Sequence, residues 1–338
     1  MPNQEPTIIV VDSGRQFVKA ICGQTLRLIP SVVAPAREFL MDLNLSDPKY
    51  HWVIINGNEC FVGDLALDQA KDAAQERDPD KSNRNNHILI VTACASFIRH
   101  SGEQVTLLTN CPARDWKRQR DQIRQAFIGN YWVTKKAGPN CGEKVEFDIV
   151  DVKVLPEGAM AYFGYIYNSI FLNQRHPEFL KANVLVMEIG DQTINYISMM
   201  RGAYRDDDCG SLDLGLYNAH ADVQKWLEAQ GVEITQSELS RIIIGREDIY
   251  RGKIRIDYRS ALREIYAGLV TKILNQLQSR LKFGNYQYLL LAGGGAGPLQ
   301  GELQQRLGDL LDIHCPEDSQ WLNACGAKVM YELNRKKG

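Results

Sequence analysis

The sequence lacks the cysteine and histidine spacings of small domains that are stabilised by disulfides or zinc. Its 338 residues include eight cysteines, but no two of them form a Cys-x-x-Cys pair, and no histidine follows at zinc-finger spacing. A disulfide framework and a structural zinc site are therefore not expected. Scattered thiols are typical of buried side chains in a reducing compartment, so we expect a cytoplasmic protein.

An excess of charge of one sign is also missing. The 39 basic and 41 acidic residues nearly balance, so no overall field draws the chain to nucleic acid or to an anionic membrane. The most apolar stretch, residues 88–98, contains Thr92 and Ser96 and is too short to span a bilayer. We therefore expect no direct contact with nucleic acid and no membrane partner.

Two common phosphate-binding fingerprints are absent. The chain contains no Gly-Lys-Ser or Gly-Lys-Thr, which excludes the P-loop class. A glycine run at residues 293–297 lacks the spacing and the early position of a Rossmann fingerprint, which argues against a dinucleotide cofactor.

One pattern is present twice, namely a hydrophobic strand that leads into an acid and a glycine. Residues 8–11 precede Asp12-Ser13-Gly14, with Lys19 further on, and residues 184–187 precede Glu188-Ile189-Gly190-Asp191-Gln192-Thr193. At a hairpin tip, glycine permits positive φ, so that backbone N–H groups can point at an anion, while the carboxylate can hold a hydrated divalent cation. Lys19 either reaches a phosphate or is an exposed strand lysine. Two such tips predict a bound polyphosphate with a hydrated divalent cation.

Two further segments carry candidate chemistry. Gly293-Gly294-Gly295 follows an apolar run and precedes a predicted helix, which suits the close approach of a ligand to the backbone. Glu157 follows Pro156 at the start of another predicted helix, where the helix dipole favours the ionised carboxylate. Such a carboxylate can orient or partly deprotonate a water molecule; the alternative is a simple capping glutamate.

The order of predicted elements indicates the fold class. A hairpin followed by alternating strands and helices occurs twice, which predicts a duplicated α/β architecture with a central cleft between its halves. A chain of 338 residues is long enough for about two domains. Residues 75–86 contain no apolar side chain except proline and predict a solvated loop. Residues 245–257 are a charged stretch with no predicted element.

The ordered set of these segments resembles the actin superfamily, and more narrowly the ParM-type bacterial actin-like ATPases. The resemblance spans nearly the whole chain. It rests on Asp12-Ser13-Gly14 with Lys19, Pro156-Glu157, Glu188-Ile189-Gly190 with Thr193, Gly210-Ser211-Leu212 with Gly215, and Gly293-Gly294-Gly295.

The resemblance implies a role for each candidate residue. Asp12 and Glu188 would hold Mg²⁺ through water, and Glu157 would act on the attacking water, so these three are the catalytic candidates. The nucleotide, ATP or ADP, would bind to Ser13, Gly14, Lys19, Gly190, Asp191, Gln192, Thr193, Gly210, Gly293, Gly294 and Gly295.

It also implies a domain plan and a function. The first half would comprise residues 1–175 and 319–338, with a small subdomain inserted at about 30–87. The second half would comprise residues 182–318, with a small subdomain at about 216–257. The protein would be an ATP hydrolase, with GTP as a further substrate to consider. It would form homopolymeric filaments and segregate plasmid DNA through a DNA-binding adaptor of the ParR type.

Two residues depart from the family pattern, and other functions stay open. The second loop normally begins with aspartate, where this chain has Glu188, and a later acid is replaced by Asn195. A non-polymerising ATPase and a small-molecule kinase share the same fold, as does a chaperone-like ATPase, and fold alone does not separate them.

Overall fold

The computed structural model describes residues 5–40, 45–70, 73–78, 80–138, 141–167 and 175–336. The chain divides into two compact units. The first unit comprises Met1–Asn173 and Asn323–Gly338, and the second comprises Gln174–Leu322. Within the described ranges, no helix has the length and apolar character that crossing a membrane requires.

The strands and helices are numbered in chain order. The strands are β1 (Thr7–Ser13), β2 (Phe17–Cys22), β3 (Thr25–Pro30), β4 (Val32–Pro35), β5 (Tyr50–Ile55), β6 (Asn58–Gly63), β7 (Ala74–Gln75), β8 (Glu103–Cys111), β9 (Gly129–Lys135), β10 (Lys144–Pro156), β11 (Asn183–Ile189), β12 (Ile194–Met200), β13 (Ala203–Tyr204), β14 (Gly210–Leu212), β15 (Ile249–Arg251), β16 (Ile254–Ile256), β17 (Tyr288–Ala292) and β18 (Asp312–His314). The helices are α1 (Asp64–Gln69), α2 (Arg84–Ala95), α3 (Trp116–Phe127), α4 (Ala159–Tyr167), α5 (Leu216–Ala229), α6 (Gln236–Gly245), α7 (Tyr258–Gln278), α8 (Ala296–Leu307) and α9 (Leu322–Arg335).

The first unit is built on a ten-stranded mixed sheet with the order β3-β2-β1-β8-β10-β9-β5-β6-β4-β7. Strand β1 pairs antiparallel with β2 and parallel with β8, which confirms the first predicted hairpin. Its last five residues are all buried, as is typical of a strand that is covered on both faces. The sheet continues through β9 and β5 into the strands of residues 50–63, so this predicted insertion shares the main sheet.

The second unit repeats this plan around a six-stranded sheet. Strand β11 pairs antiparallel with β12 and parallel with β17, and β17 pairs parallel with β18. The second predicted hairpin is thereby confirmed. Because each unit has one central strand with a hairpin partner on one side and a parallel partner on the other, the predicted duplication of an α/β plan is confirmed as well.

Each unit contains more than one hydrophobic cluster. In the first, the larger cluster includes Ile9 and Phe147, and a separate one surrounds Phe61 and Leu65. In the second, Leu185 and Leu289 lie in the larger cluster, and α5 and α6 bury a smaller one with α7. That smaller cluster is Val223, Leu227, Val232, Leu239, Ile249 and Tyr258.

The prediction of a solvated loop over residues 75–86 was wrong. Gln75 ends β7, Arg84 begins α2, and the side chains of Glu76, Lys81 and Asn86 are only 3%, 3% and 1% exposed. Composition misled the prediction because the Glu76 carboxylate, the Lys81 ammonium and the Asn86 amide nitrogen make hydrogen bonds inside the protein. The charged stretch 245–257 likewise contains an unpredicted hairpin, β15–β16.

Candidate functional site

The end of β1 places Asp12 between two hydrogen-bond donors. Lys19 lies opposite Asp12 in the hairpin, and its Nζ is 3.0 Å from Asp12 Oδ2. From the neighbouring strand β8, Asn110 Nδ2 donates to Asp12 Oδ1 at 3.0 Å. Asp12 is buried, so these contacts fix the direction of its carboxylate. The sequence placed Asp12 and Lys19 in one motif but did not predict their ion pair. It also missed Asn110, whose signal is a polar residue at the end of an apolar strand.

The loop after Asp12 is held through its carbonyl groups. Ser31 Oγ donates to the Gly14 carbonyl at 2.6 Å, and Lys81 Nζ donates to the Ser13 carbonyl. A Cβ on Gly14 would lie 2.8 Å from the Phe17 carbonyl oxygen, so a side chain does not fit there. Lys81 was missed, because it belongs to the stretch that the sequence predicted to be solvated.

Glu157 lies between the end of β10 and the start of α4, as predicted. Its N–H donates to the Cys111 carbonyl at 2.9 Å, and the residue is 8% exposed. Asn323 Oδ1 accepts hydrogen bonds from the N–H groups of Gly158 at 2.9 Å and Ala161 at 3.1 Å. Asn323 thus caps α4, and the turn that carries Glu157 is fixed from both sides.

The ionisation of Glu157 differs from the expectation. Burial raises the pKa of this carboxyl, and nearby Asp12 raises it further, while Lys81, Arg15 and Lys19 oppose the rise. We expected the helix terminus to favour the ionised carboxylate. That expectation was wrong, because burial has the largest effect on the pKa of Glu157 and favours the protonated form. A carboxylate whose pKa is raised toward neutrality is a better proton acceptor than an ordinary glutamate.

In the second unit, Glu188 is the penultimate residue of β11 and belongs to a chain of buried polar side chains. Asn195 Nδ2 donates to Glu188 Oε2 at 2.6 Å, and Ser211 Oγ donates to Asn195 Oδ1 at 2.5 Å. Asn195 is fully buried and Glu188 is 9% exposed. The departures from the family pattern at these two positions therefore occur in residues that contact each other.

The predicted loop Gly190–Thr193 is a closed turn. The Gly190 N–H donates to the Thr193 carbonyl at 2.9 Å, and the carbonyls of Gly190 and Asp191 accept the N–H groups of Leu216 and Tyr217 at the start of α5. The side chains of Asp191, Gln192 and Thr193 are half-buried. The loop is thus fixed by its backbone, and its side chains remain partly accessible.

The glycine run packs against the end of β11, beside this loop. Gly293 has φ of +85°, and a Cβ there would lie 2.4 Å from the Ile189 carbonyl oxygen. The Gly295 N–H donates to the same oxygen at 3.0 Å. Gly294 is exposed, and a Cβ there would meet no described atom within 4 Å. Gly294 is therefore the member of the run with room for a ligand.

Gly210 has a packing role of its own. A Cβ on this residue would lie 2.4 Å from the Tyr196 hydroxyl oxygen. The absence of a side chain at Gly210 is thus required by Tyr196, whether or not a nucleotide approaches.

The polar atoms near Asp12 fit a hydrated cation and a phosphate group. Ser13 Oγ and Asn110 Oδ1 are buried and have no hydrogen-bond partner among the described residues. The described part of the chain contains no group of three or more His, Cys, Asp or Glu side chains that could hold a metal. Magnesium usually keeps several waters and takes one or two carboxylates together with substrate phosphates, so Asp12 suffices on the protein side.

Comparisons with known proteins match domain models in two parts of the chain. A family model of the N-terminal domain of actin-like proteins matches residues 11–159. A model of the C-terminal domain of the archaeal MreB-like actin homologue matches residues 186–305. The search of curated proteins found no match.

Solved structures share the fold at low sequence identity. A 15-stranded ParM filament from Clostridium botulinum is 18% identical with a TM-score of 0.80, covering 98% of this chain and 100% of that one. An archaeal actin homologue in complex with ADP is 16% identical with a TM-score of 0.76, covering 97% and 99%. Bacillus thuringiensis ParM with AMPPNP is 15% identical with a TM-score of 0.71, covering 98% and 100%. The chain has the actin-like fold, with an N-terminal domain of the actin-like proteins and a C-terminal domain of the archaeal MreB-like actin homologue.

Proposed function

We propose that this protein is a nucleotide-dependent, filament-forming ATPase of the ParM type. The observation that carries the proposal is the buried Glu157 carboxyl, placed with Asp12, Lys19 and Lys81 in the first unit. Similar structures include ParM in a filament and actin homologues with ADP and AMPPNP, which supports both the nucleotide and the assembly.

The residues that bind the nucleotide would come from three loops. Ser13, Gly14 and Lys19 would contact phosphates in the first unit, and Gly190–Thr193 would do so in the second. Backbone N–H groups and a lysine suit phosphate oxygens because they supply donors and positive charge. Gly293–Gly295 would lie along the adenosine, with Gly294 offering the open position.

Magnesium would be organised by Asp12 and Glu188 through water. When bound, Mg²⁺ supplies positive charge that neutralises the phosphate oxygens. Asp12 would hold a metal-bound water with a carboxylate that Lys19 and Asn110 keep in one direction. Glu188 would do so with a carboxylate that Asn195 holds.

Glu157 would orient the attacking water and accept its proton. Its burial raises the pKa of the carboxyl, which suits a proton acceptor. The rigid turn around Glu157, fixed by Cys111 and Asn323, would keep that carboxylate in one position.

The filament would move or segregate plasmid DNA through a ParR-type adaptor in the cytoplasm. Because the 39 basic and 41 acidic residues nearly cancel, direct attraction to DNA is weak, and an adaptor is the simpler link.

Sedimentation with simultaneous measurement of phosphate release tests the proposal. Protein with Mg-ATP should pellet above a critical concentration and release phosphate, whereas protein without nucleotide should stay in the supernatant. The same assay with Mg-GTP defines the nucleotide preference. Monomeric behaviour at every concentration, together with phosphate release, would favour a non-polymerising ATPase. The absence of nucleotide binding would contradict the whole proposal.

A further inference from the structure

Lys81 is a buried lysine whose position the proposed chemistry does not by itself require. It is 3% exposed, and its ammonium donates to the Ser13 carbonyl. Removing an ammonium ion from water costs several kcal/mol unless hydrogen bonds and opposite charges compensate. A lysine that only tethered a surface loop would keep its charge in solvent, so the buried position needs a reason.

The backbone around Lys81 is anchored on both sides. Before it, the Glu76 N–H donates to the Ser31 carbonyl at 2.7 Å. After it, Asn83 caps α2 by accepting the Asn86 N–H at 2.9 Å. The side chain of Asn86 donates to the Lys81 carbonyl itself. The lysine is thus delivered to the Ser13–Gly14 loop by a fixed segment, and little side-chain freedom remains to be lost on ligand binding.

A second contact joins the same segment to the same loop. Glu76 Oε1 lies 3.3 Å from Arg15 Nη1 and also accepts Asn83 Nδ2 at 3.1 Å. The loop Ser13–Arg15 is therefore held at a carbonyl by Lys81 and at a side chain by Glu76. Because the C=O of one residue and the N–H of the next point in opposite directions across a trans peptide, fixing the Ser13 carbonyl also fixes the Gly14 N–H.

The charges nearby explain why a cation belongs here. Burial lowers the pKa of Lys81 and Arg15 lowers it further, while Glu157, Asp12 and Glu76 raise it. In turn, Lys81 is the strongest of the influences that lower the pKa of Glu157. Removing the ammonium would leave Glu157 buried with less positive charge beside it.

We propose that Lys81 is a positioning residue of the nucleotide site, which fixes the Ser13–Gly14 loop and provides the positive charge that keeps Glu157 ready to accept a proton. The inference rests on the proposed ATPase activity. It makes Glu76, Lys81 and Asn83 supporting residues of the nucleotide site, although none of them needs to touch the nucleotide.

The test compares Lys81→Met, which keeps an unbranched side chain one atom shorter and removes the charge, with Lys81→Arg, which keeps the charge. Lys117→Met, on the exposed face of α3, is the matched control. Single-turnover hydrolysis by K81M should fall roughly tenfold or more, part of the usual contribution of a positioned base. The dissociation constant of a fluorescent ATP analogue should change much less. The acid limb of the pH–rate profile should move to higher pH in K81M and return toward wild type in K81R, a shift that a purely structural lysine would not produce.

Hydrogen exchange on the wild-type protein keeps the test decisive if K81M fails to fold. Adding Mg-ADP should protect a peptide covering residues 8–16 and, with it, a peptide covering residues 80–86. Protection of the first without the second would overturn the inference, as would wild-type hydrolysis and an unshifted pH profile in folded K81M. If the wild-type protein neither binds nor hydrolyses ATP, the proposed function itself fails and Lys81 is a structural residue.

Discussion

Asn195 donates a hydrogen bond from Nδ2 to Glu188 Oε2 at 2.6 Å, and the two residues face each other directly in the β11–β12 hairpin. Two acids at these positions would place like charges opposite each other, which is destabilising. An asparagine provides a donor instead. The two departures from the family pattern therefore form one hydrogen-bonded pair, in which the longer Glu188 side chain is held by Asn195.

Removing Asn195 should affect both stability and magnesium dependence. In Asn195→Ala, the bond to a charged group is lost, and the free energy of unfolding should fall by about 1.5–3 kcal/mol. Hydrolysis should require more magnesium, because the Glu188 carboxylate is less well oriented. The measurement is a magnesium titration of phosphate release, alongside thermal unfolding.

Asn183→Ala is the control for this prediction, because Asn183 lies at the far end of β11, the strand that carries Glu188. It should leave the magnesium titration unchanged. A normal titration in N195A as well would mean that Glu188 does not organise the metal and that Asp12 does so alone.

Replacing Glu157 should stop hydrolysis and leave binding intact. In Glu157→Gln, the side chain keeps its shape but cannot accept a proton, so single-turnover hydrolysis should fall about 100-fold or more. Filaments formed with ATP should then persist. Light scattering and phosphate release, followed together, check this outcome. Normal phosphate release by E157Q would assign the proton acceptor elsewhere.

The pH dependence of hydrolysis follows from the same residue. Since burial raises the pKa of Glu157, its carboxyl takes up a proton at higher pH than an ordinary glutamate. The deprotonated form is the active one, so hydrolysis should fall as pH is lowered toward that raised pKa. In E157Q the residual rate of hydrolysis should no longer show this fall at low pH. A wild-type rate that stays constant down to the usual glutamate range would contradict the assignment.

The glycine run offers a matched pair of substitutions. At Gly293, φ is +85° and a Cβ would lie 2.4 Å from the Ile189 carbonyl oxygen. Gly293→Ala should therefore destabilise the fold by about 1–3 kcal/mol. Gly294→Val places its side chain in open space, so stability should be unchanged while nucleotide affinity falls. Denaturant unfolding and nucleotide titration of both variants separate the two effects. Unchanged affinity in G294V would make the run an ordinary strand-to-helix turn.

The parts of the site that sequence predicted are those with local signals. An apolar run followed by an acid and a glycine marks a hairpin tip within a few residues, which is why the positions of Asp12 and Glu188 in the two hairpins were predicted. Lys81 has no such signal, because its burial depends on a carbonyl 68 residues away in the chain. Asn323 caps α4 across 165 residues, which composition and periodicity do not detect either.

The parts of the fold that were predicted correctly also have local signals in the sequence. Long apolar strands and the helices between them have clear periodicity, so the duplicated α/β plan followed from the sequence. The β15–β16 hairpin was missed because its strands have three residues each and Tyr250, Arg251, Ile254 and Arg255 are all exposed. The buried Ile249 alone gives no alternating pattern. Tertiary contacts, rather than local pattern, decided the structure of that segment.

His220 should make the second unit sensitive to acid. It is 1% exposed, and its ring nitrogens lie 3.1 Å from Ser240 Oγ and 3.1 Å from the Tyr266 hydroxyl, so it joins α5 to α6 and α7. Burial lowers the pKa of this imidazole from 6.5 to about 4. Between those two values the unfolded chain binds a proton that the folded protein does not. The free energy of unfolding should therefore fall as pH drops through this window, by about 3 kcal/mol in total at roughly 1.4 kcal/mol per pKa unit.

The contribution of His220 to the free energy of unfolding can be measured by urea unfolding at pH 7 and pH 5. The proteins compared are wild type, His220→Gln and His100→Gln. Glutamine can still bond to both hydroxyls but does not titrate, so H220Q should lose less stability than wild type on going to pH 5. His100 is exposed, and H100Q should behave as wild type. Because other carboxyl and imidazole groups also titrate in this range, the difference between wild type and H220Q, rather than either curve alone, isolates the His220 contribution. Equal losses in the two proteins would mean that this histidine is hydrated in solution and that its bridge between the three helices opens before the pH reaches 5.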